Sequence, residues 1–229
     1  MIKLLGTITR KQGMPVQEFQ AYWRDVHAPM IAGSPGLLRY VQSHAVPELY
    51  GDYPQAYDGI AEAWFDSIEA FEAAVASPAW QEAIRDAPNF IGAGGSRQLV
   101  TEVAIIDDFP SVKDRLSMVK YSGFLTRKPG LSVEEFQRHW RDVHAPLVVA
   151  DLKGMRRYVQ SHAIPETYGG AHSPSFDGVP QAWFDSPDAI PPGLGRARQG
   201  PPTAASAIDS ENVFVQPIPS MVSREVIIV

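Results

Sequence analysis

Cysteine is absent from the 229 residues. That excludes a disulfide framework and thiolate chemistry, and it suits a reducing compartment. Long apolar runs are missing too, with nothing approaching the roughly 20 residues of a membrane span. The opening MIKLLGTITRK has too short an apolar part for a secretory signal and reads as a strand. Positive charge is in deficit: the formal net charge is −6, the sequence pI is about 5.5, and no basic stripe stands out. Nucleic acid and anionic membrane surfaces are therefore poor partners. Neither a GxGxxG or P-loop phosphate cradle nor a GxSxG nucleophile elbow is present, and GAGGS at 92–96 lacks the strand-then-helix context. His44 with Glu48, and His162 with Glu166, repeat as HxxxE. Pro47 and Pro165 exclude a continuous helix there, so no metal-ligand set is expected. These absences describe a soluble, cytoplasmic protein. Its 45% hydrophobic composition is enough for one large or two small cores.

What is present is a sequence written twice. YWRDVHAP (22–29) returns as HWRDVHAP (139–146), an offset of 117 that also links Met1 to Met118. RYVQSHAVPELYG (39–51) matches RYVQSHAIPETYG (157–169), and YDGIAEAWFDS (57–67) matches FDGVPQAWFDS (176–186). Asp86 and Asn89 match Asp209 and Asn212, and TEVAII (101–106) matches REVIIV (224–229). Copies of this length are duplicated domains rather than solenoid units. The expected division is residues 1–106, a polar linker at 107–117, and residues 118–229.

Each copy has the same grammar. A strand opens it (2–9, 119–126), closed by the turns TRKQG and TRKPG. A helix follows, with a capping box at Ser132 and Glu135 in the second copy and Pro15 at the start in the first. Val16, Phe19, Trp23 and Val26 fall on one helical face, as do Val133, Phe136, Trp140 and Val143, and Pro29 and Pro146 are expected to end the helix. RYVQSHA and DGIAEAWF or DGVPQAWF are strands. A second helix, broken at Pro78 in the first copy, and a final strand complete a βαββαβ, ferredoxin-like unit. Such a sheet has helices on one face and leaves the other bare. Two sheets in one chain can cover each other, which predicts an α+β fold with both antiparallel sheets paired into an intramolecular barrel.

Candidate chemistry follows the repeat. His27 and His144 lie four residues beyond Trp23 and Trp140 and so point the same way. Each is either a helix-end histidine bonded to carbonyls or an acid/base at a cavity wall. Strand alternation puts Tyr40, Gln42 and His44 on one face, and Tyr158, Gln160 and His162 likewise. Such a row lines a wet barrel interior, faces a ligand, or forms a polar network between the sheets. Glu62 and Trp64 share a face of the third strand, and the second copy has Gln181 and Trp183 there. The change from carboxylate to amide marks either divergence in chemistry or an exposed strand position. Asp58-Gly59 and Asp177-Gly178 read as turn chemistry before that strand. Residues 187–208, rich in proline and glycine, break most of the second copy's second helix.

The ordered set YWRDVHAP, PGLLRYVQSH and YDGIAEAWFDS, with its second version HWRDVHAP, KGMRRYVQSH and FDGVPQAWFDS, resembles the EthD family of dimeric α+β barrel proteins. The resemblance implies paired ferredoxin-like sheets and places the family's helix-end histidine on His27 and His144. Relatives in the wider superfamily include dehydratases, cyclases, cofactorless monooxygenases and haem enzymes. The expectation is a cofactor-independent acid/base enzyme, a lyase of dehydratase, retro-aldol or cyclase type, acting on an oxygenated, apolar or aromatic small molecule. His27, His144, Tyr40, Tyr158, His44 and His162 are the catalytic candidates. Trp23, Trp140, Gln42, Gln160, Glu62, Trp64 and Trp183 are the substrate-binding candidates. The alternatives are a non-catalytic barrel that binds a hydrophobic metabolite, and a haem-binding or cofactorless monooxygenase barrel. A homodimer of the tandem chain is compatible with either.

Overall fold

The computed structural model describes residues 1–51, 53, 55–107, 112–194 and 203–229, with the backbone alone at 112–113. Four strands come from the first copy: β1 Ile2–Ile8, β2 Arg39–Ala45, β3 Gly59–Phe65 and β4 Ser96–Asp107. Four come from the second: β5 Val119–Gly123, β6 Arg157–Ala163, β7 Gly178–Phe184 and β8 Ser220–Ile227. They close into one antiparallel barrel in the order β1-β3-β2-β8-β5-β7-β6-β4. Within each copy the order is that of a ferredoxin-like sheet. The seams are β2 against β8 and β4 against β6, so each copy's last strand is shared with the other. The duplication thus removes every sheet edge, the usual hazard of an open sheet.

The helices lie outside. In the first copy these are α1 Val16–Tyr22, α2 Ala28–Ala32, α3 Ile68–Val75 and α4 Pro78–Asp86. A short α5 (Val112–Ser117) occupies part of the expected linker, whose residues 108–111 lie outside the described residues. In the second copy they are α6 Val133–His139, α7 Ala145–Asp151 and α8 Ala205–Val213. The capping box at Ser132 and Glu135 is formed, and Ser67 and Ser77 cap α3 and α4 on either side of the break before Pro78. Of the expected disruption at 187–208, a 3₁₀ turn at Pro187–Ala189 and the start of α8 are seen, while 195–202 lie outside the described residues.

Two expectations about the first helix are corrected. Pro29 and Pro146 do not end it. Each sits in the first turn of a new helical segment, where its missing N–H costs nothing. Between the segments, Trp23–His27 and Trp140–His144 form single π turns, whose wider i→i+5 spacing carries one extra residue. That residue shifts the helical phase. Val26 and Val143 are turned out to solvent, while Trp23 with His27, and Trp140 with His144, both stay buried.

The barrel has two chemically distinct faces. Inside, one end is apolar, with Leu5, Ile60, Val100, Phe124, Val179 and Met221 packed together. The other end holds ions. Lys3 reaches Glu62 and Glu102, both at 2.8 Å, and the Gln181 amide oxygen at 3.1 Å. Lys120 bonds Glu62 and reaches Glu225 at 3.0 Å. Gln181 donates to Glu62 at 3.0 Å, and Ser43 donates to it at 3.2 Å. Burial alone would raise the Glu62 carboxyl, but Lys120 and Lys3 together outweigh it and hold it well below the usual carboxylate range. The reading of Glu62 as an exposed strand position is therefore overturned: it is a buried anion between two buried cations.

The outer face, under the helices, carries Leu4, Tyr40, Ala63 and Leu99 packed against Phe71 and Trp80. The Tyr-Gln-His rows belong here, neither in a wet barrel interior nor between the sheets. Gly59 and Gly178 do more than start a strand. A Cβ on either would fall into the ring of Trp23 or Trp140, so the bare backbone is what lets the tryptophan lie flat on the sheet.

Candidate active site

The π turn delivers His27 to the inner side of its helix with 7% of its surface exposed. Its Nδ1 lies 2.9 Å from Asp86 Oδ2, at the end of α4. The other carboxylate oxygen accepts from the Tyr22 hydroxyl at 2.6 Å and from Asn89 at 3.0 Å. Burial would raise Asp86, but its donors Tyr22, His27 and Asn89 prevail and lower it, so the carboxylate is ionised. An ionised carboxylate only accepts, so the Nδ1 proton belongs to His27 and Nε2 keeps its lone pair. Burial lowers the His27 pKa, and Asp86 offsets that only in part, so the ring is neutral at pH 7. This is a histidine oriented by a carboxylate, the arrangement of a general base.

Beneath it, β2 supplies a hydrogen-bonded relay. Gln42 donates to the Trp23 carbonyl at 3.0 Å and to the Tyr40 hydroxyl at 3.1 Å, and its oxygen accepts from His44 Nε2 at 2.8 Å. Tyr40 accepts from Gln42 and keeps its own proton to give. Burial pushes its pKa up to about 12, so it stays a phenol. The Trp23 indole N–H is buried and makes no well-formed hydrogen bond, lying beside the Tyr40 hydroxyl, whose ionisation it favours. A buried, unpaired donor is costly unless a ligand meets it.

Trp23, His27 and Tyr40 line one cavity of about 960 Å³ between the first copy's sheet and helices. Its other walls are apolar at Ile31, Phe71, Val75, Trp80 and Ala83 and polar at Glu72, Arg97, Gln98 and His172. The chemistry available is one oriented base with two neutral hydrogen-bond donors beside it, an arginine and a second histidine farther off, and an aromatic container, which suits an oxygenated, largely apolar molecule.

The remaining sequence candidates lie elsewhere. His44 stacks on Trp23 with centroids 4.7 Å apart and planes 8° from parallel, and its Nε2 is committed to Gln42. Burial lowers its pKa to about 4. His44 and Gln42 are thus supports beneath the cavity rather than groups lining it. Glu62, Trp64 and Trp183 point into the barrel, on the opposite side of the sheet, because strand alternation separates them from the Tyr40 face.

The second copy repeats the polar set. His144 Nδ1 is 2.8 Å from Asp209, Gln160 bonds the Trp140 carbonyl at 3.0 Å and Tyr158 at 3.2 Å, and His162 lies 3.0 Å from Gln160. The Trp140 indole N–H is again buried without a well-formed hydrogen bond, beside the Tyr158 hydroxyl. Two things differ. His139 replaces Tyr22 on the aspartate, at 2.9 Å. The sheet face has Tyr121 where the first copy has Leu4, and it buries Tyr53 from the first copy's β2–β3 loop against Phe184 and Ile190.

Asp86 and Asp209 were not read as site residues from sequence. The signal that would have found them is their alignment with each other across the repeat. Among the described residues, no three side chains of histidine, aspartate or glutamate gather as a metal site, and no helix is long and apolar enough to cross a membrane.

Comparison with known proteins bears on the fold. The EthD domain model matches residues 11–94 and 128–197. Among curated protein sequences none matches. Of solved structures, an "anthrone oxidase-like protein" superposes with a TM-score of 0.67 at 13% identity, over 98% of this chain and 91% of that one. A "Putative monooxygenase" from Fusobacterium nucleatum gives 0.55 at 9% identity, over 100% and 92%. Chlorite dismutase from Candidatus Nitrospira defluvii gives 0.50 at 8% identity, over 98% and 90%.

Proposed function

Since the chain belongs to the EthD family, and its first copy holds an oriented histidine over an aromatic cavity, we propose that it is an acid/base enzyme acting on an oxygenated aromatic small molecule. The observation that carries this reading is the convergence of His27, Tyr40 and Trp23 on one cavity, with Asp86 behind the histidine. His27 Nε2 takes a proton from the carbon beside a ligand carbonyl. The Tyr40 hydroxyl and the Trp23 N–H receive the oxyanion that develops. The imidazolium, stabilised by Asp86, then returns the proton to a leaving β-hydroxyl, completing a dehydration; in a retro-aldol cleavage His27 instead takes the β-hydroxyl proton, the Cα–Cβ bond breaks to give the enolate, and the proton returns to the α-carbon. A lyase needs nothing more than these groups. The first copy is taken as the working one, because the corresponding sheet face of the second holds Tyr53, Tyr121 and Ile190.

The test is β-hydroxy aryl ketones incubated in D2O and followed by NMR. The protein should exchange or eliminate at the carbon beside the carbonyl, and His27→Gln should slow this by about a hundredfold or more while keeping the fold. Equal rates in both proteins would sink the role of His27. One-to-one binding with neither exchange nor product would favour the carrier reading instead.

A second reading takes support from the fold shared with the anthrone oxidase-like protein and the monooxygenase-named one. The same stabilised carbanion, offered dioxygen, would be oxygenated without a cofactor. Oxygen uptake with an anthrone distinguishes the two. Haem is the lesser alternative, with His27 as the residue that would hold its iron. Two propionates also need cations, and the described lining offers Arg97 and a half-exposed His172 already facing Glu72. His27 and Arg97 are the residues that would hold haem, whose iron would supply redox chemistry, and no step is drawn through it.

A further inference from the structure

One wall of the first copy's cavity does not come from the first copy. Ala171 and His172, in the loop between β6 and β7 of the second copy, line it. His172 stands edge-on to Phe71, with ring centroids 5.6 Å apart and planes at 71°. Its Nε2 lies 3.6 Å from Glu72. Both partners are on α3 of the first copy. The loop is held at its base, where Tyr168 bonds Asp177 at 2.6 Å, and it turns through Gly169 at a positive φ of 75°.

The position of His172 along the cavity follows from α4. Asp86, which holds His27, ends that helix, while Trp80, which packs on Phe71 at 6.0 Å, stands near its start. Six residues of helix rise about 9 Å. The proton-transfer end and the end under His172 are therefore separated by a distance suited to about two or three fused rings. The cavity's apolar walls include Val75 and Ala83, and Arg97 also lines it, lying over Gly6 on the sheet. The remote end is polar again, because His172 and Glu72 face each other there.

We infer that His172 is a specificity-determining residue of the first copy's site, contributed by the second copy, and that it holds a polar substituent on the far ring of a multi-ring aromatic ligand. The inference rests on the reading of this cavity as the ligand site. It also gives the tandem arrangement a functional consequence: one copy supplies the base and the other the selectivity.

The probes are 1,8-dihydroxyanthraquinone, which is long enough to span both ends, and 2-hydroxyacetophenone, which reaches only one. Binding is read from quenching of tryptophan fluorescence in the full chain, since Trp23 and Trp80 line the cavity. His172→Ala should weaken the long probe by about tenfold and leave the short one within about twofold. His172→Gln, which keeps a donor, should recover most of the loss. A merely structural role would weaken both probes alike, and that result overturns the inference. So does a long-probe Kd that is equal in all three proteins. If the wild-type chain binds neither probe, the cavity reading falls and the inference with it. If it binds both but ignores position 172, the inference falls alone.

Discussion

Replacing Glu62 by glutamine should be among the most damaging single changes available to this protein. The carboxylate sits inside the barrel, bonded by Lys3 at 2.8 Å and by Lys120, with Gln181 and Ser43 as further donors. Glu62→Gln keeps the shape and removes the charge. Lys3 then retains Glu102 and Lys120 retains Glu225, but the carboxylate between the two lysines is gone. Removing one member of a buried ion network costs about 3–5 kcal/mol. Against a total stability of about 5–15 kcal/mol, that lowers the melting temperature by roughly 6–20 °C at this size. The repeat offers a control that ordinary mutagenesis lacks. Lys3 matches Lys120, Glu102 matches Glu225, and Glu62 matches Gln181, so the network is nearly twofold symmetric with its asymmetry at the last pair. The double variant Glu62→Gln/Gln181→Glu moves the carboxylate across the pseudo-axis to a position still within reach of Lys3. It should recover more than half of the loss in a double-mutant cycle measured by urea denaturation. A single variant within about 1 kcal/mol of wild type, or a double variant no better than the single, would refute the idea that one carboxylate shared by two lysines holds the barrel's polar end.

Other outcomes follow from the same structure. Gly59→Ala drives a methyl into the Trp23 ring and should cost about 1–3 kcal/mol or more by thermal melt, and a neutral result would mean the tryptophan is free to move. Burial holds His44 and His162 at a pKa of about 4, against 6.5 when unfolded. The unfolded chain therefore binds protons first as pH falls from 6.5 to 4, and stability drops through that window. At pH 5.5 the loss is about 1.4 kcal/mol for each ring. Melts between pH 7.5 and 5.5 should show it, and His44→Gln/His162→Gln should flatten the slope whatever it does to stability itself. Asp86→Asn removes the interaction that raises His27, so the acid limb of the pH–rate profile should move to lower pH while turnover falls by about a hundredfold or more. An unmoved limb would show that Asp86 does not govern the base.

Local periodicity was enough to identify what local periodicity controls. The strand alternation that groups Tyr40 with His44 and Glu62 with Trp64, and the helical spacing that buries Phe19 with Trp23, are properties of neighbours in the chain, and the duplication is plain from laying its two halves side by side. A period of two defines two faces of a strand but not which of them a barrel will enclose. Only closure put Glu62 among the ions inside and Tyr40 under the helices. A period of 3.6 misplaced Val26, because a π turn adds one residue and no local signal announces it. The base itself needed tertiary structure, since His27 and Asp86 are 59 residues apart and meet only when α4 packs beside α2. The wall made by His172 comes from still farther away, from the other copy. Sequence carries the parts of a site wherever pattern is local. Cavities are made by what comes together across the fold, and that depends on how far apart in the chain the meeting groups are.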